Sequence, residues 1–510
     1  MNRRDPKNLG FFPLAVSATC AVKLWQTSLM RSGLVLLLTF AISRAASAEN
    51  NQLADAAARL MQKLRSKSKL GVVVTDLETG NQLFKFNADQ VLMPASVMKI
   101  VTSVAALKYL GSDYKIPTEV FSELTPNQHG AIGSLYIRGY GDPLLDTSDI
   151  EEMSLAVSRR GVREINDIVV DNSLFVDPFP ASGAKAYQAG TSALTLNQNT
   201  LTLEVYPGGS GERASVYLPA GSPFIVDNQV QTSSRAVNQI TVIETGVIQK
   251  GGEFFQNTSG QLPTLKISGK IGGLSRPASY RRALLNPEMA VANTFAEYFR
   301  RQGIKIKGQL RIGATPGNAR LIDSFEFSTL ADAIREMNHT SNNVVANQLL
   351  FALGQDAKGY FRSHLGIERI HAMLAELECA AGSYAVYDGS GLSKKNRITA
   401  SCLSRVLRYA YHDFSIAPDF IASFSRFGHT GTLRKRKLRP RNSSALKVLS
   451  RETQADSVWA KTGTLAGVTA LAGYATTGSN RRVAFVILSN SGGARSLENE
   501  IVKLIIGSKI

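Results

Sequence analysis

The sequence predicts an α/β fold in which one domain is built from both ends of the chain and is interrupted by a mostly β insertion. Three observations predict it. Residues 70–110 read as a β-hairpin followed by a helix, and residues 330–510 return to helices and close on antiparallel strands. Between them, residues 116–314 are broken into short strands by Gly, Pro, Ser and Asn turns. At 510 residues the chain has room for about three domains. An apolar fraction of 44% with 17 prolines excludes a disordered or collagen-like chain, and three cysteines exclude a disulfide scaffold.

The N-terminus carries an address. Gly33 to Ile42 (GLVLLLTFAI) is an apolar run, shorter than the ~20 residues a membrane span needs. Arg31 precedes it and Ala46-Ser47-Ala48 follows, which reads as a secretory signal cut after Ala48, with residues 1–29 an over-extension or a long basic region. The expectation is a periplasmic protein. Removing residues 1–48 takes away six Lys/Arg and one Asp, so the formal charge of +18 falls by five to +13. Six of the remaining positive charges lie in Arg434–Arg441 (RKRKLRPR), which reads either as a solvated loop or as a contact for anionic wall polymer. Export argues against nucleic acid as the partner. Cys379 and Cys402 are the thiols left after cleavage, and their spacing leaves open whether they pair.

The elements follow in order. A helical pattern covers Leu53–Leu64. Next comes a hairpin of Leu70–Asp76 and Gln82–Phe86 around Glu78-Thr79-Gly80. From about Ser96 to Leu110, Val97, Ile100, Val101, Val104 and Leu107 keep helical spacing until Gly111 stops them. The middle offers strands at 134–138, 167–170, 201–206, 214–218 and 239–244. Helices return over 330–354, 361–378 and 399–411, and strands over 458–464, 467–477 and 483–489 precede a last helix with Leu497, Ile501, Leu504 and Ile505 on one side. The domains expected are 49–115 with 315–510, and 116–314 between them.

For chemistry, the chain lacks H-E-x-x-H, a P-loop, G-x-G-x-x-G and G-x-S-x-G, and its six histidines have no zinc spacing, so neither cofactor nor metal is expected. A serine paired with a lysine remains. S-x-x-K occurs at Ser66, Ser96, Ser112, Ser182 and Ser444, but Ser96 alone opens an apolar helix, placing Lys99 one turn away on the same face. A serine hydroxyl needs a base, and a lysine of ordinary pKa ~10.4 must lose its charge through burial or a neighbouring cation to serve as one. Two later motifs support the pair: Ser341-Asn342-Asn343 opening a helix, and Lys461-Thr462-Gly463 on the strand VWAKTGTL. A strand-borne Lys and Thr can hold a carboxylate, and Lys461 is the cation expected to depress Lys99. The glycine clears space for a substrate backbone along the strand edge.

These motifs in this order are the set shared by penicillin-binding proteins and class A β-lactamases. With PASVMKIVTSVAAL, GYGDPLL, TSALTLNQNTL, DGSGLSKKNRITA, GHTGTLRKR and AKTGTLAGVTALAGYATT, the chain resembles the penicillin-binding protein 4 type of D-alanyl-D-alanine carboxypeptidase/endopeptidase. The resemblance implies a serine β-lactamase/DD-peptidase-like domain, an antiparallel sheet flanked by helices. Ser96 would be the nucleophile, Lys99 the general base and Ser341 the proton relay to the leaving amine. Asn343 would bind the substrate amide, and Lys461 and Thr462 the terminal carboxylate, with Gly463 beside them. The N–H groups of Ser96 and Thr464 would form the oxyanion hole. Peptidoglycan stem peptides would be substrates and β-lactams covalent inhibitors. Two departures stand out: Asn347 replaces an expected acidic residue, and PFPASGAKAYQAG (178–190) lacks an expected tryptophan, leaving Asp171 or Asp177 as candidates to contact a diaminopimelate side chain. The alternatives are a β-lactamase, whose deacylating carboxylate would come from Glu368, Glu376 or Glu378, and a non-catalytic wall-binding scaffold.

Overall fold

The computed structural model describes residues 62, 64, 69–219, 222, 224–245, 247–250, 253–256, 264–436, 457–492 and 495–508. The expected signal sequence, most of the expected helix 53–64, Ser66, Ser444 and residues 437–441 of the basic run lie outside them.

The first hairpin forms where the pattern puts it, β1 (Leu70–Asp76) with β2 (Gln82–Phe86), and Gly80 takes the left-handed turn position at φ 74. A short 3-10 turn, Ala95–Val97, leads into α1 (Met98–Leu110), which ends at Gly111, φ 84. The chain re-enters this half through α2 (Leu330–Thr340), α3 (Asn343–Ala352), α4 (Ser363–Glu376) and α5 (Ala400–His412). It ends in β3 (Ser425–Arg426), β4 (Val458–Leu465), β5 (Val468–Thr476), β6 (Arg482–Ser489) and α6 (Arg495–Gly507). These strands make one six-stranded sheet in the order β2-β1-β6-β5-β4-β3, with every pair antiparallel. Both termini therefore build it, as β1 lies against β6.

The period-2 alternation of β6 explains the layers. Ala484, Val486 and Leu488 face a core shared with α1 to α5, whereas Val483, Phe485 and Ile487 face Leu497, Ile501 and Ile505 of α6. Helix α1 is buried from Met98 through Leu107, which is why its sequence is apolar on nearly every side.

The insertion is mostly β but holds two helices and a parallel pairing that the sequence reading did not anticipate. Strands Leu310–Ile312, Ile168–Asp171, Leu135–Gly139, Thr118–Ser122 and Arg320–Phe325 form one sheet in that order, the first two pairings parallel. Helices Thr147–Arg159 and Pro287–Arg301 share its core through Ile150, Met153, Phe295 and Phe299. Their signals were present: Asp146 caps the first in a capping box, while Asn286 with Pro287 starts the second. Because Arg320–Phe325 pairs with Thr118–Ser122, the insertion's sheet runs past residue 314 to Phe325. No helix among the described residues is long and apolar enough to cross a membrane.

The question left open for the thiols is settled by geometry. Cys379 and Cys402 form a disulfide between the end of α4 and the first turn of α5, 23 residues apart in sequence. Replacing both with serine should lower stability by about 3 kcal/mol through the freed loop, measured as a drop in the denaturant midpoint.

Candidate active site

Ser96 sits in the 3-10 turn at the head of α1, after Ala95 in the left-handed region (φ 49). Lys99 follows one turn later, so its side chain returns along the helix to the serine. The amine is fully buried. Its Nζ lies 3.2 Å from Ser96 Oγ, 2.8 Å from Asn343 Oδ1 and 2.7 Å from the Ser390 carbonyl. Burial pushes the amine down to about 7, against an opposing pull from Asp388. About half of the molecules then carry a neutral Lys99 at pH 7. In that form two N–H groups satisfy Asn343 and Ser390, and the lone pair faces the serine hydroxyl.

Of the other described S-x-x-K pairs, Ser182 with Lys185 is exposed, and Lys115, the partner of Ser112, is exposed.

Ser341 closes α2 in the left-handed conformation, φ 63 and ψ 39. Asn342 then caps α3 through its Oδ1, which accepts from the N–H groups of Val344 and Val345. This turn aims Ser341 at β4, where Lys461 Nζ donates to its Oγ at 2.8 Å and to the Thr462 carbonyl at 2.9 Å. Lys461 is also fully buried, and its amine is held well below its ordinary value by burial and then by the charge of Lys99. Burial is the largest cause for both amines, and the repulsion between the two charges adds to it.

Strand β4 presents an edge. β3 pairs with it at Trp459 and Ala460, and from Lys461 to Leu465 that side carries no strand among the described residues. Thr462 Oγ1 donates to Thr432 Oγ1 at 2.8 Å, and the exposed Thr464 accepts from Arg495 at 3.4 Å. Gly463 has a packing reason as well. A Cβ there would come within 2.9 Å of the Pro94 carbonyl and 3.1 Å of the Ser96 nitrogen. Its absence lets the strand lie directly on the serine turn, so that the Ser96 N–H and the β4 edge share one space.

Three contributors were not assigned from sequence. Asp388 accepts from the N–H groups of Ser390, Gly391 and Ser393 and from Asn396 Nδ2, which fixes the loop that turns the Ser390 carbonyl toward Lys99. Asn347 Oδ1 accepts from the Gly389 N–H at 3.1 Å and so steadies that loop from α3. The Tyr187 carbonyl, from the segment lacking tryptophan, accepts from Asn343 Nδ2 at 2.9 Å. The first two signals were the D-G-S-G turn and an amide one helical turn after Asn343. The third had none.

Asp171 does not serve as expected. It is buried, pairs with Arg138 at 3.0 Å and accepts from Ser173 and from the Thr315 N–H, so it organises the insertion's sheet. Asp177 is exposed, at φ 53. Glu376 and Glu378, two of the β-lactamase candidates, pair with Lys108 and Arg405 instead.

Gly463→Ala should slow Ser96 modification at least about tenfold while the chain stays folded, because the added methyl must push the strand off the serine turn. The rate of labelling by a fluorescent penicillin, set beside the circular dichroism melt, checks it.

Comparisons agree with this geometry. The sequence pattern of the D-Ala-D-Ala carboxypeptidase 3 (S13) family matches residues 51–505. A D-alanyl-D-alanine carboxypeptidase of Actinomadura sp. (strain R39) is 30% identical over 438 residues, covering 82% of this chain and 77% of the relative. The crystal structure of penicillin-binding protein 4 from Haemophilus influenzae superposes with a TM-score of 0.69 at 23% identity, covering 88% of this chain and 97% of that one. The same protein complexed with a β-lactam gives 0.66 over the same shares at 23% identity. With the family pattern spanning the described sheet, the helices and the insertion alike, the chain belongs to the D-Ala-D-Ala carboxypeptidase 3 (S13) family and is a serine peptidase.

Proposed function

We propose that the protein removes the terminal D-alanine from peptidoglycan stem peptides through an acyl-enzyme on Ser96, with D-Ala–diaminopimelate cross-links as a second substrate class. One observation carries the reading: a fully buried lysine amine 3.2 Å from the hydroxyl of a serine at a helix head.

The steps follow from the contacts. Neutral Lys99 takes the Ser96 proton as the oxygen attacks the penultimate D-alanine carbonyl. The N–H groups of Ser96 and Thr464 receive the developing oxyanion, a contribution of a few kcal/mol. The Ser341 hydroxyl gives its proton to the departing amine and recovers one through Lys461, 2.8 Å away. Lys461 and Thr462 hold the terminal carboxylate, Gly463 keeps the strand against the serine, and Asn343 donates its remaining N–H to the substrate carbonyl. Water then frees the acyl-enzyme. A β-lactam acylates the same serine, in keeping with the β-lactam complex of the Haemophilus protein.

Its site of action is the periplasm, reached by the signal sequence ending at about Ala48. The Cys379–Cys402 disulfide suits an oxidising compartment. The basic run beginning at Arg434 is the contact for anionic wall polymer. Arg436 is already engaged with Glu498 at 2.7 Å, which leaves the exposed Arg434 and Lys435 as its described free members.

Ser96→Ala should abolish both fluorescent-penicillin labelling and D-alanine release from a peptide ending in D-Ala-D-Ala, followed by mass spectrometry. Full labelling in that variant overturns the assignment of the nucleophile. Rapid penicillin turnover by the unmodified protein would favour the β-lactamase alternative.

The pH dependence has a definite sign. Acylation should rise about tenfold per pH unit up to about pH 7 and then level, because the reactive form is the neutral amine. Folded Lys99 titrates near 7 and a free lysine near ~10.4, so between these values the unfolded chain binds more protons and this residue's contribution to stability rises with pH. Lys99→Met should therefore eliminate acylation yet raise the melting temperature, with a larger gain at pH 6 than at pH 10. An equal gain at both values would show that the amine is not held neutral by the fold.

A further inference from the structure

The turn Asn197-Gln198-Asn199 belongs to the insertion, and all three residues are left-handed, with φ of 49, 58 and 53. Consecutive non-glycine residues in this region cost on the order of 1 kcal/mol or more each, and persist where surrounding bonds over-determine them. Here they do. The Asn197 N–H donates to the Leu145 carbonyl and its Nδ2 to Thr147 Oγ1. The buried Asn199 accepts from the Leu196 N–H at its Oδ1, donates from Nδ2 to the Gly190 carbonyl, and accepts from the Leu284 N–H at its own carbonyl. The residue held outward by this frame is Gln198.

Gln198 Oε1 accepts from two sides. One donor is the Arg281 guanidinium, itself fixed by donation from Nε to Thr200 Oγ1 at 2.7 Å. The other is Asn342 Nδ2 at 3.0 Å. The orientation of Asn342 is decided by its own backbone partners. Its Oδ1 accepts from the Val344 and Val345 N–H groups, so its Nδ2 must face Gln198, and the atom facing it must be an acceptor. Asn342 is the middle residue between Ser341 and Asn343, and no other side chain–side chain bond to it is recorded among the described residues.

We propose that Gln198, braced by Arg281, is a positioning residue for the proton relay: through Asn342 it holds Ser341 in its left-handed conformation, where its hydroxyl can reach both Lys461 and the leaving amine. The inference rests on the role given above to Ser341. It makes the insertion a working part of the catalytic site. The mechanism says where the effect must show. When the tetrahedral intermediate collapses, the C–N bond breaks, its electron pair goes to nitrogen, and the nitrogen takes the Ser341 proton. A thiolate leaves as an anion and needs no proton. Disturbing Ser341 therefore slows the amide and spares the thioester.

The test compares an amide peptide ending in D-Ala-D-Ala with its thioester analogue, in which sulfur replaces the leaving nitrogen. Gln198→Leu keeps the size and removes the acceptor. It should lower kcat/KM for the amide about tenfold or more, mostly in kcat, and that for the thioester by less than about threefold. Gln198→Glu keeps an acceptor for both donors and should hold both values within about threefold of the unmodified protein. Arg281→Met should move the amide-to-thioester ratio in the same direction as Gln198→Leu by a smaller factor. An unchanged ratio in Gln198→Leu, or a Gln198→Glu protein as impaired as Gln198→Leu, overturns the proposal. Amide turnover by the unmodified protein separately tests the parent reading, so the two failures are told apart.

Discussion

Everything in this site depends on keeping two lysine amines out of water. Lys99 and Lys461 are both fully buried, and desolvating an ammonium costs several kcal/mol even after relaxation. No carboxylate among the described residues pairs with either. Their partners are neutral oxygens: a serine hydroxyl, a side-chain amide and the Ser390 carbonyl for Lys99, and a serine hydroxyl with the Thr462 carbonyl for Lys461. The choice matters. A carboxylate in contact would stabilise the ammonium and raise the pKa out of the useful range. Asp388 instead spends its hydrogen-bonding capacity on backbone N–H groups and Asn396, one step removed, and presents a carbonyl to the amine in its place.

The fold supplies the dryness. Helix α1 is enclosed by four helices and one face of the sheet, so a side chain in its first turn is buried as soon as it points inward. β4 seals the other side because Gly463 lets it rest on the serine turn, and the D-G-S-G loop seals the third because Gly391 does the same. A Cβ on Gly391 would fall 1.9 Å from the Ala95 carbonyl, and its φ of +80 already favours glycine. Both glycines let a neighbour close on the serine turn, Gly463 at Pro94 and Ser96 and Gly391 at Ala95. Stability is conceded at the lysines and recovered in the cores on either side of the sheet, an arrangement common at catalytic centres.

What could be read from the sequence follows from the range over which each signal acts. The hairpin limits 70–76 and 82–86, the Gly111 stop and the choice of Ser96 among five S-x-x-K pairs all rest on neighbours within a few residues. The placement of Ser341 opposite Lys461 was legible only as an ordered set of motifs. Asn347 and Gln198 were not legible as site residues because their partners lie tens to hundreds of positions away, and each is chemically ordinary on its own; Asp388 bonds only to its own loop, and what hid its role is that this loop meets Lys99 from far along the chain. Asp171 failed for the converse reason: a carboxylate in a promising segment was already taken by Arg138, on a strand whose parallel pairing had not been anticipated. How far Lys99 would be shifted was not legible, because burial is a property of the packed helix, and a motif list shows charges but not solvent.

The Asn343 amide shows how the free site already contains instructions for its substrate. One lone pair of its oxygen is engaged by Lys99 and one of its two N–H groups by the Tyr187 carbonyl, which leaves one N–H and one lone pair for a ligand. On the opposite wall, the open edge of β4 between Lys461 and Leu465 offers N–H and C=O groups at the spacing of a strand. That edge lies against the serine turn, where a Cβ at Gly463 would come within 3.1 Å of the Ser96 nitrogen, so an extended chain laid along it would pass beside the nucleophile. The Tyr187 carbonyl comes from the insertion and Lys99 from the sheet domain, so the orientation of the Asn343 amide is set jointly by both parts of the chain.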